Sequence, residues 1–217
     1  MSSPQTRAAT LPERVDSGTG AHTSDAVAVR ELRRSTSFDA ARHELARRRW
    51  NEVAMAEVAV AAGVSRQTLD REFSSREQFA RALIVTVSDR VIGAVEEVMD
   101  DDLHSPKDAL LGAFELFLSV VAEDPLARAA TAGDGEMLSL VTTRGSSLLE
   151  RSSERLRGAI TSRWPQVGMH DAGLLAESLV RLAISYAALP AGPAGVTASS
   201  IVDLLGPYIE RTLGAGI

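Results

Sequence analysis

Gly63 stands between two short segments with helical apolar spacing, and this arrangement restricts the fold more than any other feature of the chain. Before it, Val58, Ala59 and Ala62 fall at i, i+1 and i+4, on one side of a helix. Gly63 can end that helix, because a residue without Cβ enters the left-handed region at little cost. Val64 then plugs the angle, and Ser65 is placed to cap a second helix by accepting from an amide two or three residues on. In that second helix Leu69 and Phe73 lie four apart and pack inward, while Arg66, Gln67, Asp70 and Arg71 face out. A short helix held from behind and polar in front suits the DNA major groove, which is wide enough for one helix. A surface helical hairpin that touches no nucleic acid would carry the same apolar spacing.

The rest of the chain reads as helices around this unit. Residues 1–24 are rich in Ser, Thr, Gly and Pro with no apolar period, so a disordered arm is expected. Its Arg7 and Arg14 can touch phosphate or remain solvated. A short helix is expected over Asp25 to Arg34, with Val27, Val29 and Leu32. Ser37 is expected to cap a further helix to about Trp50, with Phe38, Ala41, Leu45 and Ala46 inside and Arg42, Arg47, Arg48 and Arg49 outside. Residues 25–83 thus make a three-helix helix-turn-helix domain. From Ser75 one long helix is predicted to about Met99, with Phe79, Leu83, Val87, Val91 and Val95 as its inward stripe and Asp100-Asp101-Asp102 as its stop. It would join the head to a helical body over residues 84–217.

In the body, Ser105-Pro106 opens a helix that is apolar nearly all round, with Glu115 and Ser119 its only wet stripe. Short helices are expected over Leu126 to Ala130 and Glu136 to Thr143, separated by Gly133-Asp134-Gly135. A long one follows from Ser146 to Trp164, stopped by Pro165. The last two helices, Asp171 to Leu189 and Thr197 to Leu213, carry more apolar surface than one core face needs. They can close the monomer core or pack against a second copy as a four-helix bundle. The predicted fold class is all-α.

Charge separates along the chain. Through Leu83 there are 13 Arg against 11 acids, and the remainder has 10 basic against 18 acidic residues. A mildly basic head on an acidic body fits a small DNA-reading domain attached to something with another task. The chain has no Cys, which excludes a disulfide framework and any thiolate chemistry. Its four His, at 22, 43, 104 and 170, are far apart and show no metal-binding spacing. No cofactor, metal or catalytic residue is therefore expected, and the chain does not read as an enzyme. The first twenty residues lack the apolar core of a secretory signal, and no apolar run approaches the roughly 20 residues of a membrane span. A cytoplasmic location is expected.

The run AAGVSRQTLDREFSSREQF, Ala61 to Phe79, resembles the TetR family of one-component regulators. The resemblance implies a homodimer that binds a palindromic operator and is released by a small molecule, usually as a repressor. Residue by residue it implies that Ser65, Arg66, Gln67, Thr68, Asp70, Arg71 and Arg76 meet DNA. Arg66, Gln67 and Arg71 would lie at base edges or nearby in the groove, and Thr68 and Arg76 at phosphates. Three departures stand out. Arg49 replaces the usual Gly, Val53-Ala54 replaces a Thr-Thr or Thr-Ser pair that caps the next helix and reaches a phosphate, and Asp70 replaces a Tyr that reaches phosphate. In the body, TAGDGEMLSLVTTRG, ESLVRLAISYAALPAGP and LLGPYIE are similar to a QsdR-type subgroup that governs lactone catabolism. That similarity implies a lactone as effector.

A ligand pocket is expected among the body helices, mostly apolar with a few orienting polar groups. Glu177, Arg181 and Ser185 are spaced i, i+4, i+8 on an otherwise apolar helix. They read either as an ion pair at the surface or dimer seam, or as ligand contacts, with Arg181 donating and Glu177 holding it. Phe114 and Phe117 read as core or as ligand wall, and Thr142 and Thr143 as hydroxyl donors. The alternative function is a ligand-binding or scaffold protein on the same fold whose DNA binding has weakened.

Overall fold

A computed structural model describes residues 19–99, 105–133, 135–190 and 192–214. All regular structure in them is helical. Helix α1 spans Thr19–Leu45, and a 3₁₀ turn at Trp50–Glu52 leads to α2, Met55–Ala61, and α3, Arg66–Glu72. Helix α4, Arg76–Met99, runs from this head into the body. The body comprises α5 Pro106–Glu123, α6 Pro125–Arg128, a π turn Ala129–Gly133, α7 Gly135–Val141, α8 Ser146–Arg163, α9 Met169–Ala188 and α10 Ala194–Leu213. The stop expected at Asp100-Asp101-Asp102 and the arm residues 1–18 lie outside the described residues.

Helix α1 corrects two expectations. It is one continuous helix where an arm and two helices were expected, and it starts six residues inside the segment assigned to the arm. Ser37 caps nothing. It is buried in mid-helix, and its hydroxyl donates to the Arg33 carbonyl one turn back at 2.7 Å. Bonding of that kind satisfies a buried Ser without ending the helix. Val27, Val29 and Leu32 are exposed, so they do not form an inward face. The helix stops at Leu45 rather than Trp50, whose indole is fully buried in the following turn.

Two apolar clusters hold the molecule. The first joins the aromatic residues Phe38, Trp50, Phe73 and Phe79 to Leu69 and Leu83, and continues into Leu126, Ala130, Met137 and Leu140 of the body. The Phe73 and Phe79 rings meet edge to face at 4.9 Å between centroids, and Trp50 stacks on Phe79 at 6.1 Å. The second cluster packs α5, α8, α9 and α10 around Phe114, Ile160, Leu175 and Ile201. The head is therefore not a separate bead, because its core is completed by the α6–α7 segment. Between α4 and α8, Arg151 grips Asp89 at 2.7 and 2.9 Å, and Arg155 reaches Asp89 and Glu96. The Arg151 guanidinium holds the Asp89 carboxyl below its ordinary range.

Candidate functional site

The head presents α3 as anticipated. Gly63 has φ +69°, the left-handed turn that lets α3 cross α2. The Ser65 hydroxyl accepts from the Thr68 amide at 3.0 Å, closing the N-terminus of α3. Leu69 and Phe73 are buried, and Arg66, Gln67, Asp70 and Arg71 are exposed together on the opposite face. Asp70 lies along the helix against Arg66, with Arg66 Nε donating to its carboxylate at 3.0 Å. The Thr68 hydroxyl is 2.8 Å from that of Ser65.

Arg76, expected at a phosphate, makes its contacts inside the head. Its guanidinium donates to the carbonyls of Val53, at 2.5 Å, and Trp50, and lies 4.3 Å from the centre of the Trp50 ring. It also faces Glu136 of α7. Those carbonyls flank the turn before α2, so Arg76 ties α2 to α4. The missing Thr cap at Val53-Ala54 is real in the sense that Ala54 offers no side-chain cap. Glu57 compensates in part, accepting from the Ala54 amide at 2.9 Å, and Arg48 binds Glu57 and Glu44 from the other side. The Ala54 amide, and then Arg48, hold the Glu57 carboxyl below its ordinary range.

The body contains a chamber of about 170 Å³ lined by α4, α5, the α6–α7 segment, α8, α9 and α10. Phe114 and Phe117 line it, with Val91, Leu156, Leu179 and Ile209 among many other apolar residues. Among the described residues no charged side chain lines it. Hydroxyls come from Ser88, Ser152 and Thr131. Ser88 Oγ and Ser152 Oγ face each other at 3.3 Å, whereas Thr131 donates to its own helical carbonyl, Ala127, at 2.8 Å.

Five expected ligand contacts do not reach this chamber. Glu177 and Arg181 pair with each other at 2.7 Å on the outer face of α9, more than half exposed, and Ser185 is exposed on the same helix. Thr142 and Thr143 lie past the end of α7, where their hydroxyls donate to the carbonyls of Leu138 and Ser139. The chamber's own hydroxyls carried a sequence signal that was missed. Ser152 interrupts the four-residue ladder Leu148, Leu156, Ile160, and Ser88 stands between Ile84 and Ile92 at the same spacing. A hydroxyl inside an apolar stripe is a polar group brought to the interior.

The chamber and head share structure. Leu126, Ala127, Ala130, Thr131 and Val141 form chamber wall, and the same segment is tied to the head by charge. Asp124 caps α6, accepting from the Leu126 and Ala127 amides at 2.8 and 3.1 Å, and also binds Arg42 of α1. Arg144, just beyond α7, pairs with Glu77 at 3.1 Å in the first turn of α4. Among the described residues no group of side chains could hold a metal ion, and no helix is long and apolar enough to cross a membrane.

Comparison with known proteins gives two family matches. Residues 38–83 match bacterial regulatory proteins of the tetR family, and residues 105–207 match the C-terminal domain described as that of the bacterial tetracyclin repressor. The HTH-type transcriptional regulator AlkX of Mycobacterium tuberculosis is 34% identical over 188 residues, covering 86% of this chain and 89% of the relative. The crystal structure of the TetR family repressor AlkX from a Dietzia species superposes with a TM-score of 0.73 at 32% identity, covering 83% of this chain and 96% of that one. That repressor is described as implicated in biodegradation of n-alkanes. A TetR-family regulator from Pectobacterium atrosepticum shares the fold, with a TM-score of 0.63 at 17% identity over 86% of this chain and 96% of that one.

Proposed function

The chain belongs to the TetR family of transcriptional regulators, and from that premise we propose that it is a dimeric repressor released from a palindromic operator by an apolar, hydrocarbon-bearing ligand. Its relatives are regulators, and it is not an enzyme. The observation that carries the ligand reading is the chamber wall, whose described residues are apolar except for three hydroxyls and the Trp164 indole, with no charged side chain among them. Such a wall rewards burial of a hydrocarbon chain at about 25 cal/mol per Å². It offers no partner to an ionised group, which would have to be desolvated unpaired. The similarity to AlkX supports a ligand drawn from hydrocarbon metabolism. The QsdR-type resemblance supports a lactone, whose ring oxygens would meet the Ser88–Ser152 pair.

The DNA-reading residues we propose are Arg66, Gln67 and Arg71, with Ser65 and Thr68 at the helix start near phosphate. Ligand and operator compete through the α6–α7 segment, which is at once chamber wall, part of the head's core and the anchor of three ion pairs to the head. A ligand that fits only when this segment moves outward favours heads at the wrong spacing. It shifts the equilibrium only by its differential affinity for the two states.

Titration calorimetry with δ-dodecalactone, dodecan-1-ol and dodecanedioate tests the ligand class. Binding of the first two and not the dianion is expected. Tight binding of the dianion would overturn the reading. For the DNA role, retention of a palindrome from genomic fragments is expected, whereas uniform weak binding would support the scaffold alternative.

A further inference from the structure

We propose that the N-terminal extension of α1 is a brace for the recognition helix, with Arg30 and Arg34 as positioning residues that hold α3 through Glu72. This rests on the DNA-reading role of α3 and deepens it. Glu72 is the last residue of α3. A carboxylate there opposes the negative end of the helix dipole and lies on the element meant to approach phosphates. Uncompensated, it would repel DNA. Yet its side chain is only 17% exposed, drawn inward toward α1. Arg30 Nε donates to both of its oxygens, at 2.9 and 3.1 Å, and Arg34 Nη1 adds a third contact at 3.4 Å.

Arg34 is itself fixed. Its guanidinium lies 5.5 Å from the Phe38 ring centre and 5.3 Å from that of Phe73, the C-cap of α3. Those rings belong to the aromatic centre of the head. One arginine therefore touches both the terminal carboxylate of α3 and the ring that roots α3 in the core. Both arginines precede residue 38, where the tetR-family match begins. They sit on the part of α1 that was expected to be a separate short helix. Continuity of α1 carries them across to α3, because a straight helix keeps Arg30, Arg34 and Phe38 in line at four-residue spacing.

A second reading of the same contacts has Arg30 and Arg34 as phosphate ligands merely parked on Glu72. The two readings give opposite signs for Glu72→Gln. A brace loses its grip when the carboxylate goes, whereas parked arginines are set free. The probes are a duplex selected from random sequence by the wild-type protein, and a scrambled duplex of the same composition. Glu72→Gln is expected to weaken the selected duplex about tenfold, losing a charge-assisted contact. The scrambled duplex should not weaken, because one negative charge per head is removed and phosphate contacts carry no sequence. Arg30→Gln, at an exposed position where folding is not at risk, should weaken the selected duplex likewise and add little on top of Glu72→Gln. Without DNA, amide exchange in α3 should quicken in both variants while exchange in α8 does not. Tighter binding with a steeper salt dependence in Glu72→Gln would overturn the proposal in favour of phosphate ligands. Unchanged exchange in α3 would overturn it whatever the DNA does. Failure of the wild type to select any sequence, with α3 exchange quickened as expected, would overturn the DNA-reading role and leave the brace standing.

Discussion

Single residues decide how well α3 can approach DNA. Asp70 is held by Arg66 in an exposed i,i+4 pair, about half accessible on each side. Such a pair contributes roughly 0.3–0.5 kcal/mol to stability. Asp70→Asn should therefore cost little on unfolding, yet release Arg66 and remove one negative charge per head. Affinity should rise several-fold for operator and scrambled duplex alike, because phosphate contacts carry no sequence. Titration of both duplexes at several salt concentrations checks this, and a gain confined to the operator would contradict it. Arg181 makes the opposite point. The i,i+4 spacing with Glu177 signalled an interaction, and the structure places both partners on the outer face of α9. Arg181→Met should accordingly leave dodecan-1-ol affinity unchanged by calorimetry. Spacing along one helix reports who pairs with whom. It does not report which face turns inward, since that depends on helices far away in sequence. The internal contacts of Arg76 are hidden from the sequence for a related reason. Its partners are carbonyls of Trp50 and Val53, and a backbone acceptor leaves no mark in a residue pattern.

Elements were more legible than contacts. Helices α3 and α4 could be read from the sequence because Gly63, Ser65 and the stripe Phe79, Leu83, Val87, Val91 are local signals that agree with one another. Helix α1 was not, because Ser37 looks like a cap unless its burial is known, and burial comes from Phe73 and Phe79 packing on the next residue, Phe38. The α6–α7 segment was seen as short helices, but its double role as wall and anchor is a tertiary fact. That role is testable at Asp124. Asn is as good an N-cap as Asp, so Asp124→Asn should keep α6 and lose only the ion pair to Arg42. The change in operator affinity caused by saturating dodecan-1-ol should shrink several-fold, with affinity for dodecan-1-ol itself kept. An undiminished response would remove the Arg42–Asp124 pair from the coupling. The α4–α8 seam carries a pH signature. Asp89 has its folded pKa depressed by Arg151, so its stabilisation is complete above the ordinary carboxylate pKa of about 3.9 and fades as pH falls below it. Asp89→Asn should be less stable than wild type at neutral pH, with the gap narrowing in urea titrations as the pH is lowered past that value.

At the scale of the whole molecule the unresolved demand is for a second copy. Helix α9 packs its buried stripe, Ala172, Leu175, Ala176 and Leu179, into the body, and α10 does the same with Ala198, Ile201, Val202 and Ile209. Apolar residues remain outside. Leu174 is 49% exposed and Leu204 73%, with the half-buried Leu182, Leu205, Tyr186 and Tyr208 on the same two helices. Scattered exposed leucines need no explanation, but several on two successive helices are the pattern of an interface. A C2 dimer would cover them by a self-complementary contact and set two α3 helices at one spacing. Leu182 and Leu205 already support the monomer core, so charging them confounds folding with assembly. Leu174→Glu with Leu204→Glu alters only the outer surface. This double variant should keep wild-type helicity, sediment as a monomer and lose the avidity of two linked heads, which is worth a factor of about 10²–10⁴. Scrambled DNA, which one head can hold, should be affected far less. A folded double variant that still sediments as a dimer would place the interface elsewhere, and the exposed Val27 and Leu32 on α1 would then be the next face to charge.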